Sequence, residues 1–328
     1  MTHYNHERAV ALRAVREAAI LCRAVQSGLS PEVLEKKDRS PVTVADFGSQ
    51  ALVCRTLGEV FPGDPVIGEE DASGLRQSGN ESLLARLVDH VRDLRPDAGP
   101  EEICSWIDRG GAGDFSDRFW TLDPIDGTMG FLRGQQYAVS LALVVGGEVV
   151  VGVLGCPNLP LDPAAPDGIG TAFVAERGEG TVQVPLEGDH EPVPVKVSRE
   201  GDPSRIRFCE SVEAAHSSHD DAARIATRLD IRAKPVRLDS QAKYAVVARG
   251  EAEVYLRLPR GTGYQEKIWD HAGGVLVVTE AGGRVTDVAG RSLSFTHGRT
   301  LAENRGVIVT NGLLHDAVLG AIRDLGIG

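Results

Sequence analysis

The sequence is short of positive charge and has no basic stripe. Its 35 lysine and arginine residues are outnumbered by 47 aspartate and glutamate residues, which gives a formal net charge of -12 at pH 7. A surface of this sign repels the phosphates of a duplex, so we expect no nucleic-acid polymer as a partner. A small anionic ligand would instead need locally placed cations, either basic side chains or bound metal ions.

Paired cysteines and long apolar runs are also missing. The five cysteines are scattered and none belongs to a CxxC pair, so we expect buried thiols and neither a disulfide framework nor a zinc site. No segment approaches the roughly 20 apolar residues of a membrane span, and the first ten residues contain no apolar core segment. We expect a cytoplasmic monomer without a membrane anchor or internal repeat.

The first part of the chain predicts helices combined with an antiparallel sheet. Apolar residues recur every three or four positions over residues 5–27, which is the period of an amphipathic helix. A second helical pattern has Asp46 near its first turn and ends at Pro62 and Gly63. The further predicted elements are a short strand at 65–68, a helix at 81–94, and two hairpins turning at 146–147 and 178–180.

Beyond about residue 200, strand patterns alternate with helical ones. The strand patterns are RIRFCES, VRLDS, AEVYLRL and GVIVTN, and the helical stretches are 218–229, 240–249, 270–281 and 312–324. The chain therefore predicts an α/β protein, with an α+β lobe over residues 1–198 and an α/β lobe over residues 199–328. Residues 97–118 and 157–170 are rich in Gly, Pro or charge and predict loops, the first of them a candidate lid.

The segment WTLDPIDGT, Trp120 to Thr128, carries the strongest chemical signal. Proline restricts Asp123 to an extended conformation, so that Asp123 and Asp126 can converge on one point and bind a hard cation. Gly127 permits close backbone approach, and the hydroxyl and amide of Thr128 could face a phosphate oxygen. The alternative is an Asp-Gly turn without a ligand.

Two other acidic segments have an equally simple alternative. Glu69 lies in IGEED, which a solvated loop would also explain, and Asp270 lies at a predicted helix start, where N-capping would explain it. Taken as a set, however, these carboxylates and Asp46 all adjoin apolar segments that would carry them inward. Buried carboxylates need cations or neutralisation, so the set favours a metal site.

Four segments, SPVTVAD, IGEE, LDPIDGT and WDHAGG, resemble the signatures of the inositol monophosphatase superfamily of lithium-sensitive, magnesium-dependent phosphomonoesterases. The resemblance spans nearly the whole chain, and the pair DPIDGT and WDxAG is highly specific. It implies a five-layered αβαβα sandwich. It also implies two or three Mg²⁺ ions, inhibition by lithium and calcium, and these metal ligands: Glu69, Asp123, the Ile125 carbonyl, Asp126 and Asp270.

The same resemblance assigns the remaining site residues. Asp46 and Thr128 would orient the attacking water with help from Glu69, and no covalent phosphoenzyme is implied. SVEAAHSSHD, LDSQAKYAVVARG and YLRLP are similar to the bisphosphate nucleotidase branch, which implies a nucleotide bisphosphate as substrate. Residues implied to contact that substrate are Gly127, Thr128, His216, Ser240, Lys243 and Arg257.

Each nucleotide contact has an alternative interpretation. His216 could be a surface histidine, Ser240 a helix cap, Lys243 a solvated helix residue and Arg257 a charge on an edge strand. The chain also departs from the family pattern at Met129, where Lys is usual, and at Gly273, where Ala is usual. Two alternatives remain open: an inositol phosphate or sugar bisphosphate phosphatase, and a catalytically silent sensor of nucleotide or metal. The sequence also leaves open whether the sulfated nucleotide is used.

Overall fold

The fold comprises two sheets separated and flanked by helices. The computed structural model describes residues 3–28, 34–35, 41–165, 170–188, 190–212, 219–259 and 263–327. The helices of the described residues are α1 (Asn5–Ser27), α2 (Val44–Val60), α3 (Glu81–Arg92), α4 (Pro100–Asp108), α5 (Thr128–Leu132), α6 (His219–Arg228), α7 (Ala242–Ala248), α8 (Ala272–Glu280) and α9 (His315–Asp324). None of these helices is long and apolar enough to cross a membrane.

The first sheet has seven strands in the order of the chain. They are β3 (Val66–Gly68), β4 (Arg118–Asp126), β5 (Ala138–Val145), β6 (Glu148–Pro160), β7 (Gly170–Glu176), β8 (Gly180–Pro185) and β9 (Val193–Pro194). β3 and β4 pair in parallel and the other neighbours are antiparallel. Gly146 and Gly147 both have positive φ, 59° and 82°, which allows the tight turn predicted between β5 and β6.

The second sheet has five strands in a mixed order. They are β10 (Phe208–Glu210), β11 (Val236–Arg237), β12 (Val254–Arg257), β13 (Arg284–Thr286) and β14 (Val307–Thr310), arranged as β11-β10-β12-β14-β13. β12 lies in the middle, so the interpretation of Arg257 as an edge-strand charge is wrong. Two short strands, β1 (Leu34–Glu35) and β2 (Pro41–Val42), form a separate antiparallel pair.

Three apolar cores divide the molecule into five layers. One packs α1 to α4 against the first face of the seven-stranded sheet, and a second fills the space between the two sheets around α7 and α8. A third packs α6 and α9 against the outer face of the five-stranded sheet. The predicted αβαβα sandwich is confirmed. The seven-stranded sheet uses residues up to 194 and the five-stranded sheet begins at 208, while the boundary at residue 198 stays a prediction.

One part of the predicted loop 97–118 is wrong. Residues Pro100–Asp108 form α4, whose Ile103, Cys104 and Ile107 are buried against α2 and α3. Proline at the first helical position and Glu102, which accepts a hydrogen bond from the Gly99 N–H at 3.4 Å, are ordinary helix-start signals. Because glycines flank α4 on either side, the sequence pattern predicted a loop there.

Candidate active site

Glu69, directly after β3, and Asp123, inside β4, lie on neighbouring parallel strands. Gly68 at the end of β3 lies opposite Leu122 in β4, and the Glu69 N–H donates to the Leu122 carbonyl at 3.2 Å. Glu69 and Asp123 are therefore the next residues on each strand. Because β3 and β4 run in parallel and are in register here, the sheet holds these two residues side by side.

A β-bulge then redirects β4. Asp123 pairs with Ser140 of β5 and Asp126 pairs with Ala138, so β4 carries one extra residue in this stretch. The Pro124 carbonyl accepts a hydrogen bond from the Ser49 hydroxyl of α2 at 2.8 Å. The side chains of a regular strand point alternately to the two faces of the sheet. The bulge, anchored to α2, interrupts this alternation and so changes the direction of the carboxylates that follow it.

Asp46 and Thr128 lie side by side. The Asp46 Oδ2 accepts from the Thr43 N–H at 2.8 Å and from the Thr43 hydroxyl at 2.6 Å, which fixes the carboxylate in the first turn of α2. The Thr128 hydroxyl lies 3.3 Å from the Asp46 Oδ1 and 3.3 Å from the Ile125 carbonyl oxygen. Residues from α2, the bulge and α5 thus converge on one point.

The loop before α7 closes over the DPIDGT segment. The Gln241 N–H donates to the Asp126 Oδ2 at 2.6 Å. Gly127 has φ +88°, and a Cβ there would lie 2.9 Å from the Ser240 Cβ, so only glycine fits. Ser240 itself has φ +70° and precedes Gln241, the N-cap residue of α7; its hydroxyl accepts from the Ala242 N–H at 3.1 Å.

Gln241 is a contact residue that the sequence did not single out. Its side-chain amide donates to the Trp269 carbonyl at 2.9 Å and accepts from the Ser140 hydroxyl at 3.0 Å. The same hydroxyl explains the Gly273 departure, because a Cβ at Gly273 would lie 2.7 Å from the Ser140 Oγ. Gln241 therefore joins the Asp126 side of the site to the segment that carries Asp270.

Asp270 lies two residues before α8 and pairs with a guanidinium. The Arg257 Nη2 lies 3.5 Å from the Asp270 Oδ2, and no side-chain cap is made at the start of α8. The N-cap alternative for Asp270 is wrong. Burial raises the pKa of Asp270 well above its usual range; Arg257 opposes that shift, whereas the nearby charges of Asp126 and Glu69 add to it.

A buried chain of hydrogen bonds stands behind Arg257. Its Nε donates to the Glu266 Oε2 at 3.0 Å, and the same oxygen is 3.1 Å from the His271 Nε2. Since a carboxylate only accepts, His271 carries its proton on Nε2, and its Nδ1 accepts from the Tyr244 hydroxyl at 2.7 Å. Burial alone would raise the pKa of Glu266, but the hydrogen bond from His271 and the charge of Arg257 lower it to about 2.

Lys243 is buried, with 3% of its surface exposed, so the solvated-helix alternative is wrong. Its ammonium lies 5.2 Å from the centre of the Tyr255 ring and 3.4 Å from the Leu238 carbonyl. Burial lowers the pKa of Lys243, and Asp126 opposes that shift. His216 lies outside the described residues, and Met129 is an exposed residue of α5.

The carboxylates suit a hard divalent cation. Burial raises the pKa of Asp126, against the charges of Lys243 and Arg257, while Glu69 raises it further. The donor atoms are all oxygens, the ligands that Mg²⁺ prefers, and a cation would offset the repulsion among them. Predicted ligands Glu69, Asp126 and Asp270 thus lie within electrostatic reach of one another.

Ligand atoms of Glu266, Asp270 and His271 also lie within 4.8 Å of one another. Among the residues that the structure describes, no three of the predicted metal carboxylates are as tightly grouped. Glu266 and His271 are already committed to the Arg257 and Tyr244 hydrogen bonds, so we interpret this trio as a support for Arg257. Of the predicted carboxylates, Asp126 is held by a protein donor, the Gln241 N–H.

Comparisons with known proteins match nearly the whole chain to one family. Residues 4–326 match the model of the inositol monophosphatase family. A 3'(2'),5'-bisphosphate nucleotidase from Emericella nidulans is 43% identical over 347 residues, covering 98% of each chain. One from Oryza sativa is 45% identical and covers 98% of this chain and 94% of its own, and the 3',5'-bisphosphate nucleotidase 2 of Arabidopsis thaliana is 42% identical.

Solved structures share the fold at lower sequence identity. An IMPase from Thermotoga maritima superposes with a TM-score of 0.65 at 22% identity, covering 96% of each chain. An inositol monophosphatase from Anabaena superposes with a TM-score of 0.64 at 21% identity, covering 100% of this chain and 98% of its own. At these identities the likeness concerns the fold.

Proposed function

Because the chain belongs to the inositol monophosphatase family, we propose that it is a 3'(2'),5'-bisphosphate nucleotidase. The reaction is hydrolysis of the 3'-phosphate of adenosine 3',5'-bisphosphate to AMP and inorganic phosphate. The observation that carries the proposal is the similarity to curated nucleotidases, 42% to 45% identical over 98% of this chain. The proposed water-activating pair and the cluster of carboxylates supply chemistry that this reaction needs.

Two or three Mg²⁺ ions are proposed to complete the site. Their ligands are Glu69, Asp123, the Ile125 carbonyl, Asp126 and Asp270. When bound, the ions supply Lewis-acid stabilisation of the phosphoryl and leaving oxygens and lower the pKa of water. Support comes from the all-oxygen donor set and from the side-by-side positions of Glu69 and Asp123. Sensitivity to lithium and calcium is proposed on the same family membership.

Asp46 and Thr128 are proposed to handle the attacking water. The hydroxyl of Thr128 accepts a hydrogen bond from the water and donates its own proton to the Asp46 Oδ1, 3.3 Å away. The water oxygen forms a bond to phosphorus as the bond from phosphorus to the 3'-oxygen breaks. The water gives its proton to the Thr128 hydroxyl as that hydroxyl gives its own proton to the Asp46 carboxylate, and the departing 3'-oxygen takes up a proton from bulk water to become a hydroxyl.

The second phosphate and the nucleoside are proposed to bind on the other side of the carboxylates. Lys243 and Arg257 bring positive charge to this side, and both lie close enough to Asp126 to oppose the rise in its pKa. Ser240 and Gly127 form the close backbone contact there, and His216 is assigned to the same role by family resemblance alone. The 5'-phosphate then acts as a handle that places the 3'-phosphate for attack.

Product analysis tests this proposal. Purified protein with Mg²⁺ is incubated with adenosine 3',5'-bisphosphate, and the nucleotide product is identified by ³¹P NMR. We expect AMP and inorganic phosphate, no further conversion of AMP, and loss of turnover after chelation. Release of the 5'-phosphate, or full turnover after exhaustive chelation, would contradict the assignment.

A further inference from the structure

Arg257 stands between two carboxylates that compete for it. Its Nε is 3.0 Å from the Glu266 Oε2, whereas its Nη2 is 3.5 Å from the Asp270 Oδ2, at the limit of a hydrogen bond. The arginine side chain is 14% exposed. The short contact to Glu266 therefore decides the direction of the guanidinium, and Asp270 receives only the weaker interaction.

Glu266 can decide this because it is itself immobilised. It is buried, and its Oε2 is 3.1 Å from the His271 Nε2, while the His271 Nδ1 is 2.7 Å from the Tyr244 hydroxyl. His271 and Tyr244 are both fully buried. Because Glu266 is held in this way, its carboxylate sets the orientation of the Arg257 guanidinium.

Removing the charge of Glu266 would release the guanidinium toward Asp270. An arginine and a carboxylate form a strong two-pronged pair when nothing holds them apart. Such a pair would turn the cation away from a second phosphate and would also neutralise Asp270. Both consequences are undesirable in a site that must bind a bisphosphate and a divalent cation at the same time.

We propose that Glu266, held by His271 and Tyr244, is a positioning residue that keeps Arg257 off the Asp270 carboxylate and directed at the second phosphate of the substrate. This role rests on the proposed function, because it requires a substrate with two phosphates. It assigns specificity to a residue that touches neither the substrate nor the reacting atoms.

The test uses Glu266→Gln, which keeps the shape of the side chain and removes its charge. A matched control is Glu253→Gln. Glu253 is also buried in the second lobe, and its Oε1 lies 2.9 Å from the Arg207 Nη2. Adenosine 3',5'-bisphosphate and 3'-AMP are compared as substrates, because they differ only in the 5'-phosphate.

We expect Glu266→Gln to raise KM for the bisphosphate about tenfold or more while KM for 3'-AMP changes little, since a charge-assisted contact to one phosphate is lost. The concentration of Mg²⁺ needed for half-maximal activity should rise as well. Glu253→Gln should leave the ratio of the two KM values unchanged. A ratio that is the same in Glu266→Gln and wild type would overturn the proposal.

Two further measurements keep the outcome decisive. Tyr244→Phe removes the hydroxyl that donates a hydrogen bond to His271, and it should change the KM ratio in the same direction as Glu266→Gln by a smaller factor. An unchanged KM ratio in Tyr244→Phe would contradict the role given to Tyr244. AMP binding measured by calorimetry in the presence of a chelator should weaken in Glu266→Gln and not in the control. Equal binding in both variants would count against the proposal independently of turnover.

Failure of the proposed function would be visible earlier, in the wild type. If wild-type protein does not hydrolyse adenosine 3',5'-bisphosphate, the nucleotidase assignment and the role of Glu266 both fail. If wild type hydrolyses it and Glu266→Gln keeps the wild-type KM ratio, only the role of Glu266 fails.

Discussion

The two halves of the candidate site are built differently. On the side of Asp46 and Thr128, Thr43 holds Asp46 three residues away and Ile125 lies three residues before Thr128, while the Thr128 contact to Asp46 spans 82 residues. On the side of Arg257, Glu266 lies nine residues away and the Tyr244 hydroxyl contacts His271 across 27 residues. The residues of the first half stand in motifs that the sequence shows, whereas the supports of the second half are identified only by their partners in space.

The difference also suggests a division of labour. The first half carries the proposed water-activating pair and most of the proposed metal ligands, and the second half carries Lys243, Arg257 and their supports. We expect substitutions in the first half to lower kcat and substitutions in the second half to raise KM.

Asp123→Asn should have the largest effect. It removes a proposed charged ligand, and we expect kcat/KM to fall roughly a thousandfold, a loss of about 4 kcal/mol of transition-state stabilisation. The fold should survive, because repulsion among the carboxylates is relieved. The control is Asp64→Asn, whose carboxylate pairs with Arg118 at the opposite end of β4. Wild-type turnover in Asp123→Asn would show that the metal cluster is misassigned.

Asp46→Ala and Thr128→Ala should come next. Each should lower kcat about a hundredfold with little change in KM, because the proposed contacts are to the attacking water and not to the nucleotide. The double variant should be scarcely worse than either single variant, since both residues act on the same water. Steady-state kinetics on all three proteins provide the check, and independent, multiplying losses would separate the two residues.

Lys243→Met should have a moderate effect confined to the second half. It keeps the buried stem and removes the charge, so KM for adenosine 3',5'-bisphosphate should rise about tenfold while hydrolysis of inositol 1-phosphate is nearly unchanged. The matched control is Lys267→Met, since Lys267 also lies over an aromatic ring, 5.9 Å from the centre of Trp269. Equal weakening of both substrates by Lys243→Met would erase the proposed division between the halves.

His315→Gln should leave activity unchanged and alter only stability. His315 is buried between the hydroxyls of Thr286 and Thr310, and burial, with the charge of Arg284, lowers its pKa to about 4. Its neutral form is therefore favoured in the folded state. Stability is fully present above the unfolded pKa of 6.5 and is lost as pH falls toward 4, by an amount on the order of 2 kcal/mol.

Denaturation by urea at several pH values checks this prediction. Glutamine can keep one hydrogen bond to the threonines without titrating, so the free energy of unfolding of His315→Gln should depend less on pH between 6.5 and 4. The same pH dependence in the variant and the wild type would mean that His315 does not titrate on unfolding.

Much of the fold was predictable because its signals are local. The amphipathic period of α1, the glycine turn between β5 and β6, and the alternating strands and helices of the second lobe all follow from short-range patterns. The exceptions include α4, where flanking glycines outweighed Pro100 and Glu102, and residues 157–160, predicted as loop but part of β6. A helix-start motif should therefore be weighed even inside a glycine-rich segment.

The site was predictable only in part. The DPIDGT segment identifies acidic residues by type and spacing, and resemblance supplies their roles. Gln241, Glu266 and Tyr244 carry no such signal, because a buried glutamine, glutamate or tyrosine is identified as a support only by its partners in space. The sequence alone could name the cations of the second half but not the groups that orient them.

Substrate discrimination by the wild-type protein tests the central claim most directly. kcat/KM is measured for adenosine 3',5'-bisphosphate and for inositol 1-phosphate under the same Mg²⁺ concentration. Because the second half of the site is proposed to bind a second phosphate, the account predicts a ratio of at least about 100-fold in favour of the nucleotide. Equal values for the two substrates would contradict it and would leave only the metal-dependent phosphatase chemistry standing.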